Sequence, residues 1–195
     1  MLIGLTGPAG CGKSAALKIF SSLGWLALDA DAICHKIYAS SMGGFIDSLL
    51  ERWGAAALGP DGCPDRQAIA QIVFSDKAER EWLNSVLHPE IQRRALSEYA
   101  ANGFKPCIFD VPLLYESSWQ DRFKKVIAVY AEPHVQRSRL LARGWSAGEI
   151  DRRLSVQQSG VKTLEMADYG LINNSSLDSL KRQCEAVSKL ILNSI

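Results

Sequence analysis

Gly7-Pro8-Ala9-Gly10-Cys11-Gly12-Lys13-Ser14 meets every fixed position of the phosphate-loop pattern G-x-x-x-x-G-K-[ST]. The five residues before it, Leu2-Ile3-Gly4-Leu5-Thr6, are short and mostly apolar, as a buried parallel strand requires. After it, Ala16, Leu17, Ile19, Phe20 and Leu23 recur at helical spacing. The motif therefore lies between a strand and a helix, the setting that separates a working phosphate loop from a chance match. Glycines let successive backbone N–H groups converge on phosphate oxygens, and the new helix turns its positive end toward them. Lys13 is long enough to reach the β- and γ-phosphates, and the Ser14 hydroxyl is a ligand for Mg²⁺. The competing explanation is a glycine-rich turn with no ligand. The match at every fixed position favours a nucleoside triphosphate.

Working outward, brief strand-like runs alternate with helical ones: Leu2–Thr6, Trp25–Leu28, Pro106–Phe109, Val126–Tyr130 and Tyr169–Ile172. Such alternation predicts an α/β fold, a parallel sheet with helices on both faces and ligands at the carboxyl ends of the strands. Two stretches break the rhythm. From about residue 32 to 104 the pattern is almost wholly helical, broken at Gly43-Gly44 and by a turn at Gly59-Pro60-Asp61-Gly62. That is too long for one crossover helix and reads as a helical insertion suited to a second substrate. Within it, Ser75 is a candidate cap for the following helix, and His88-Pro89 reads as an interruption between two helical runs. The second stretch, about 136 to 158, carries Arg137, Arg139, Arg143, Arg152 and Arg153, with Gly144 and Gly148 in its middle. It reads as an arginine-bearing lid. The core is then about 1–31, 105–135 and 160–195, within a single domain.

With 195 residues, 47% of them hydrophobic and 22% charged, the chain has the makings of one ordinary globular core. A formal net charge of +1 gives no broad basic field, which argues against nucleic acid as a partner. No apolar run approaches the length of a membrane span, and the N-terminus enters a strand with no secretory pattern. The five cysteines, Cys11, Cys34, Cys63, Cys107 and Cys184, are scattered and odd in number, which argues against a zinc site or a disulfide framework and fits a reducing cytoplasm. Cys11 inside the loop is either a tolerated side chain or a redox-sensitive thiol. Nothing in the sequence sets an oligomeric state.

Several carboxylates and arginines are candidates for chemistry. Asp29-Ala30-Asp31 closes the second strand, and residues two apart on an extended segment point the same way. Both carboxylates would then face the phosphates, one orienting a hydroxyl nucleophile and taking its proton; the alternative is that one caps the next helix. Asp110, ending Cys107-Ile108-Phe109-Asp110, either serves the site or simply starts a turn. Arg139 and Arg143, four apart, would share a helix face, as phosphate clamps or as a solvated basic surface.

Taken in order, GLTGPAGCGKS, ALDADAI, DGCPDR, VFSD, WLNSVLHPEI, DVPLLYES, QRSRLLARG and the late Ala167-Asp168 with Ile172-Asn173-Asn174 resemble the dephospho-coenzyme A kinase family across nearly the whole chain. The resemblance implies a P-loop kinase with a five-stranded parallel sheet, a helical substrate region and a mobile lid. It implies an enzyme moving the γ-phosphoryl of ATP, with Mg²⁺, onto the ribose 3′-hydroxyl of dephospho-coenzyme A in the last step of coenzyme A synthesis. By position, Asp31 would be the general base, Lys13 and Arg139 catalytic, and Gly10, Cys11, Gly12, Lys13, Ser14 and Ala15 the ATP-phosphate segment. Arg143 and Asn174 would lie on the nucleotide side, and Asp29, His35, His88, Pro89, Asp110 and Leu113 on the acceptor side. Three positions depart from the family pattern: Pro8-Ala9 stands for Gly-Ile, His35 for an arginine and Ser175 for a glycine. Rival readings are another small-molecule P-loop kinase, such as a nucleoside monophosphate kinase, or a nucleotide-dependent switch. The first should lack LHPEI and VPLLYE; the second should carry an N-K-x-D signal, which is absent here.

Overall fold

The structure, a computed structural model, describes residues 1–194 apart from the side chain of Ser75. The chain divides into two compact units: Met1–Asp29 with Asn102–Ile195, and Ala30–Ala101.

The first unit is built on five parallel strands: β1 (Leu2–Thr6), β2 (Leu26–Asp29), β3 (Cys107–Asp110), β4 (Lys125–Tyr130) and β5 (Tyr169–Ile172). Their order is β2-β3-β1-β4-β5, so β1 is central, with β3 and β4 on its flanks. Successive side chains leave a strand on opposite faces, and this alternation builds both sides of the sheet. Ile3, Leu5, Ile108, Ile127, Val129 and Leu171 face a core completed by α1 (Lys13–Ser22) and α9 (Leu177–Asn193) through Ala16, Ile19, Phe20, Leu180, Cys184 and Ile191. The intervening positions face the other way. A Cβ on Gly4 would meet Leu114 and Phe123, and one on Gly170 would meet Leu164 of α8 (Gly160–Met166). Phe109 packs there against Trp119 and Phe123, with ring centroids 6.3 and 6.1 Å away. Both faces are covered, which is why the strands lack a polar side. Between β4 and β5 lie α6 (Pro133–Ala142) and α7 (Ala147–Ser155), tied by Arg137 Nη1 to Asp151 Oδ1 at 2.6 Å. Gly144 follows α6, whereas Gly148 lies inside α7 and breaks nothing.

The second unit is helical: α2 (Ala30–Tyr38), α3 (Gly44–Trp53), a 3₁₀ turn at Gly54–Ala57, α4 (Arg66–Ser75) and α5 (Lys77–Ala101). Gly43 precedes α3 at φ 120°, and Gly62 N–H donates to Gly59 O, so the two expected breaks are present. The expected Ser75 cap falls on a side chain outside those described. The Asp76 carboxylate accepts from the N–H groups of Ala78 and Glu79 at 2.8 and 3.2 Å.

The expected interruption at His88-Pro89 does not occur: α5 runs unbroken through Pro89. An internal proline costs a helix about 3 kcal/mol. Leu83, Leu87, Ile91, Ala95 and Tyr99, one every fourth residue on both sides of it, are all buried. Burying large apolar side chains contributes about 1.5–3 kcal/mol each, which outweighs the proline.

Candidate active site

The phosphate loop leaves the carboxyl end of the central strand and enters α1 at Lys13. Its glycines are required by geometry at two positions. Gly12 has φ 107°, and a Cβ there would collide with the side-chain nitrogen of Asn173. Gly10 has φ 78°, and a Cβ there would lie 2.8 Å from the Gln136 carbonyl of α6. Only a residue without a side chain lets α6 and the end of β5 come this close to the loop. Lys13 Nζ lies over the loop and donates to Gly7 O at 2.7 Å and to Pro8 O at 3.3 Å. Ser14 is exposed on the first turn of α1.

Cys11 is fully buried (0% exposed). Burial pushes its thiol above the ordinary value; the Lys13 ammonium pulls the other way, and the Asp110 carboxylate adds to the rise. A buried, protonated thiol is inert, so the redox reading of Cys11 has no support. The same interaction sets Asp110, 4% exposed at the end of β3, within electrostatic reach of the loop. Asp110 is in the strand, paired in register with Leu5 of β1 and Asp29 of β2, so it does not begin a turn.

Arg139, on α6, turns toward the loop. Its Nη1 makes long hydrogen bonds to Gly10 O and Cys11 O, 3.5 and 3.4 Å, and its Nη2 reaches Asn173 Oδ1 at 3.4 Å. Arg143 follows four residues later, and its side chain is exposed. The helix ends at Ala142, and Arg143 is its exposed capping residue, with its N–H on Leu140 O.

Two residues given no role in the sequence reading hold this arrangement. Asn173 is 7% exposed, donates from Nδ2 to Cys11 O at 2.8 Å and accepts from Arg139. Gln157, just past α7, accepts the Ala9 N–H at 2.9 Å. Asn174, the expected nucleotide-side residue, accepts from Glu132 N–H at 2.8 Å and donates to Glu132 Oε1 at 3.1 Å, anchoring the start of α6. The strand period points to Asn173. Leu171 faces the α1/α9 core, and two residues on the chain returns to the same side.

The Asp29-Ala30-Asp31 segment departs from expectation. Asp29 ends β2, but α2 begins at Ala30, so Asp31 sits on the exposed first turn of a helix. The extended geometry that would align the two carboxylates is absent, because strand passes directly into helix. In the helical unit, Asp31 and His35 are both exposed and four apart on α2. The Arg66 guanidinium, from the start of α4, lies 3.5 Å from His35 Nε2 and 4.8 Å from the Tyr38 ring centroid. Burial, with the Cys34 thiol adding and Arg66 opposing, pushes the Tyr38 hydroxyl up to about 12. His88, beside Pro89 on α5, is partly buried, and that burial holds its imidazole below the usual value. Leu113, in the loop after β3, is exposed, with its carbonyl accepting from Ser117 N–H at 2.9 Å.

Comparison with known proteins gives this geometry a context. The family model described as dephospho-CoA kinase matches residues 1–179. A curated dephospho-CoA kinase of Symbiobacterium thermophilum is 35% identical over 189 residues, covering 95% of this chain and 79% of the relative. A crystal structure from Thermus thermophilus superposes with a TM-score of 0.82 at 32% identity, covering 97% of this chain and 96% of the other. The dephospho-CoA kinase of Campylobacter jejuni superposes at 0.70 and 26% identity, again covering 97% and 96%. With the family pattern running from β1 into α9, this chain belongs to the dephospho-CoA kinase family.

Proposed function

We propose that this protein transfers the γ-phosphoryl of ATP to the ribose 3′-hydroxyl of dephospho-coenzyme A. The observation that carries the reading is the phosphate loop with Lys13 and Arg139 both lying on it, in a chain of this family. The loop amides and the amino end of α1 receive the β- and γ-phosphates. The Lys13 ammonium and Arg139 guanidinium offset the charge that spreads over the γ-phosphoryl as it leaves, and they exclude water around it. The acceptor oxygen bonds to phosphorus, the bond to the bridging oxygen breaks, and ADP departs. Asp31 takes the proton of the hydroxyl; its exposure and its position in the family pattern support that role.

Among the described residues no group of three or more His, Cys, Asp or Glu could hold a metal ion. That composition suits Mg²⁺, which keeps several waters and is held mainly by nucleotide phosphates with one or two protein oxygens. The exposed Ser14 hydroxyl would supply such an oxygen, and the ion when bound would neutralise charge on the β- and γ-oxygens. Five free cysteines, three of them buried, support a cytosolic setting. Among the described residues no helix is long and apolar enough to cross a membrane.

The test is an ADP-release assay coupled to a dye readout, with dephospho-coenzyme A, AMP, CMP, dTMP and no acceptor in parallel. Release stimulated by dephospho-coenzyme A alone is the expected result. Stimulation by a nucleoside monophosphate instead would move the protein to a different small-molecule kinase.

A further inference from the structure

The link between α7 and α8 touches the phosphate loop in two ways. Gln157 Oε1 accepts the N–H of Ala9 at 2.9 Å. At Gly160, the first residue of α8, a Cβ would lie 2.8 Å from the Tyr130 ring and 3.5 Å from Pro8 Cγ, so the end of the link packs against the proline as well. Between them, Gln158 N–H donates to Glu116 Oε1 at 2.7 Å, which pins the link to the loop after β3. From the other side α6 bears on the loop through Gln136 at Gly10 and Arg139 at Gly10 and Cys11. The helical hairpin thus holds the loop at both of its own ends.

Pro8 has no N–H, so Ala9 carries the first backbone donor after Gly7. A donor in this turn must find an acceptor, and its partner sets the plane of the Pro8–Ala9 peptide. That plane fixes the direction from which the following amides, Gly10 to Ser14, leave the turn. We propose that Gln157 is a positioning residue for the phosphate loop: by accepting from Ala9 N–H it presets the loop for the phosphates of a nucleoside di- or triphosphate. The proposal rests on the kinase reading of this site. Gln157 does not touch the phosphates; it acts through the Ala9 peptide.

The test uses the full-length protein with Gln157→Met, which keeps the length of the side chain and removes the acceptor. Calorimetric titration with ADP and with adenosine, neither needing an acceptor substrate, separates phosphate recognition from the rest of the nucleotide. ADP should bind about three- to tenfold more weakly, the effect of one neutral hydrogen bond, while adenosine affinity stays the same. Amide exchange at Ala9 should accelerate in the same variant. Unchanged ADP affinity, or equal losses for ADP and adenosine, would overturn the proposal. Should Gln157→Met fail to fold, Gln157→Asn, whose shorter arm cannot reach Ala9, is read by the same contrast. Wild-type turnover on dephospho-coenzyme A is measured alongside. Its absence would refute the function proposed above and leave the ADP–adenosine contrast standing.

Discussion

Asn173→Ala should cost both stability and catalysis, by amounts that follow from two hydrogen bonds. The side chain is 7% exposed, and its Nδ2 donates to Cys11 O, within a residue that is itself wholly buried. Truncation leaves that carbonyl without its best partner, and an unsatisfied buried acceptor costs about 1–3 kcal/mol. Arg139 Nη1 also reaches Cys11 O at 3.4 Å and keeps some of the interaction, so the loss belongs at about 1–2 kcal/mol on the same scale. For a chain of this size that lowers the melting temperature by about 2–8 °C. Arg139 loses its 3.4 Å contact to Asn173 Oδ1 and with it one of the groups holding it at the loop. Urea unfolding measures the first effect, and steady-state turnover with varied ATP the second, expected as a fall of about tenfold in kcat/KM. Asn173→Asp is the control: it keeps the size and the acceptor for Arg139 but cannot donate to Cys11. It should therefore lose stability as the alanine variant does. If Asn173→Ala unfolds within about 0.5 kcal/mol of wild type, the range of an ordinary surface change, the loop carbonyl does not depend on it and the reasoning fails.

Lys13→Ala should leave a folded protein whose turnover is at least about a hundredfold lower, since the ammonium lies on the loop and supports no core packing. Near-normal turnover would remove the phosphate-loop assignment. Arg139→Ala should lower kcat more than it weakens ATP binding, because its contact tightens as charge develops; a change confined to ATP affinity would make it a ground-state binder only. Asp31→Asn should lower kcat by about 10²–10⁴ with KM values little changed, and retention of more than about a tenth of wild-type kcat would move the proton acceptor to Asp29 or Asp110. Glu90 gives a pH test: hydrogen bonding to Arg93, opposed by partial burial and reinforced by Arg94, lowers its carboxyl from 4.5 to about 2. A depressed carboxyl stabilises the fold above its unfolded value and loses that contribution as pH falls from 4.5 toward about 2. Urea unfolding at pH 5 and pH 3 should show the decline, and Glu90→Gln should reduce it; an unchanged slope in the variant would exclude the coupling.

The strands were legible because a parallel sheet covered on both sides writes short apolar runs into the chain. β1 and β5 fall where the pattern puts them, β2 and β3 lie one residue later at both ends, and β4 starts one residue earlier. Carboxylates at strand ends resemble turn and cap residues, so the sequence leaves open whether Asp29 and Asp110 belong to the ladder. The direct entry from β2 into α2 was only half legible: Asp29 is a capping residue type at the right place, one of the two alternatives open in the sequence, but Ala30 fits either state. Pro89 misled for the opposite reason. The local rule is sound, but the apolar stripe from Leu83 to Tyr99 overrides it. In the site, the loop followed from the motif, whereas the arginine-rich stretch left Arg139 open between a phosphate clamp and a solvated basic surface. Arg143 is the capping residue just past Ala142, a boundary that the local pattern does not fix to the residue. Asn173 and Asn174 are identical neighbours, and only the face of β5 separates the one on the loop from the one on Glu132. Gln157 meets Ala9 across 148 positions, a pairing that no local pattern encodes.

The central place of β1 has a cost during synthesis. It precedes the other described elements in the chain, yet its neighbours are Cys107–Asp110 and Lys125–Tyr130, so it stays unpaired until about eighty residues beyond β2 have been made. Closing a loop of that length costs about 4 kcal/mol of chain entropy before any strand contact repays it. Sheets wired in this way form slowly and leave sticky segments open in the interval. Leu2–Thr6 is such a segment, apolar and without a single charge. The contacts within Ala30–Ala101, by contrast, are made among residues translated close together. On a ribosome the helical unit is thus free to order early, while the nucleotide-binding half waits for its third and fourth strands.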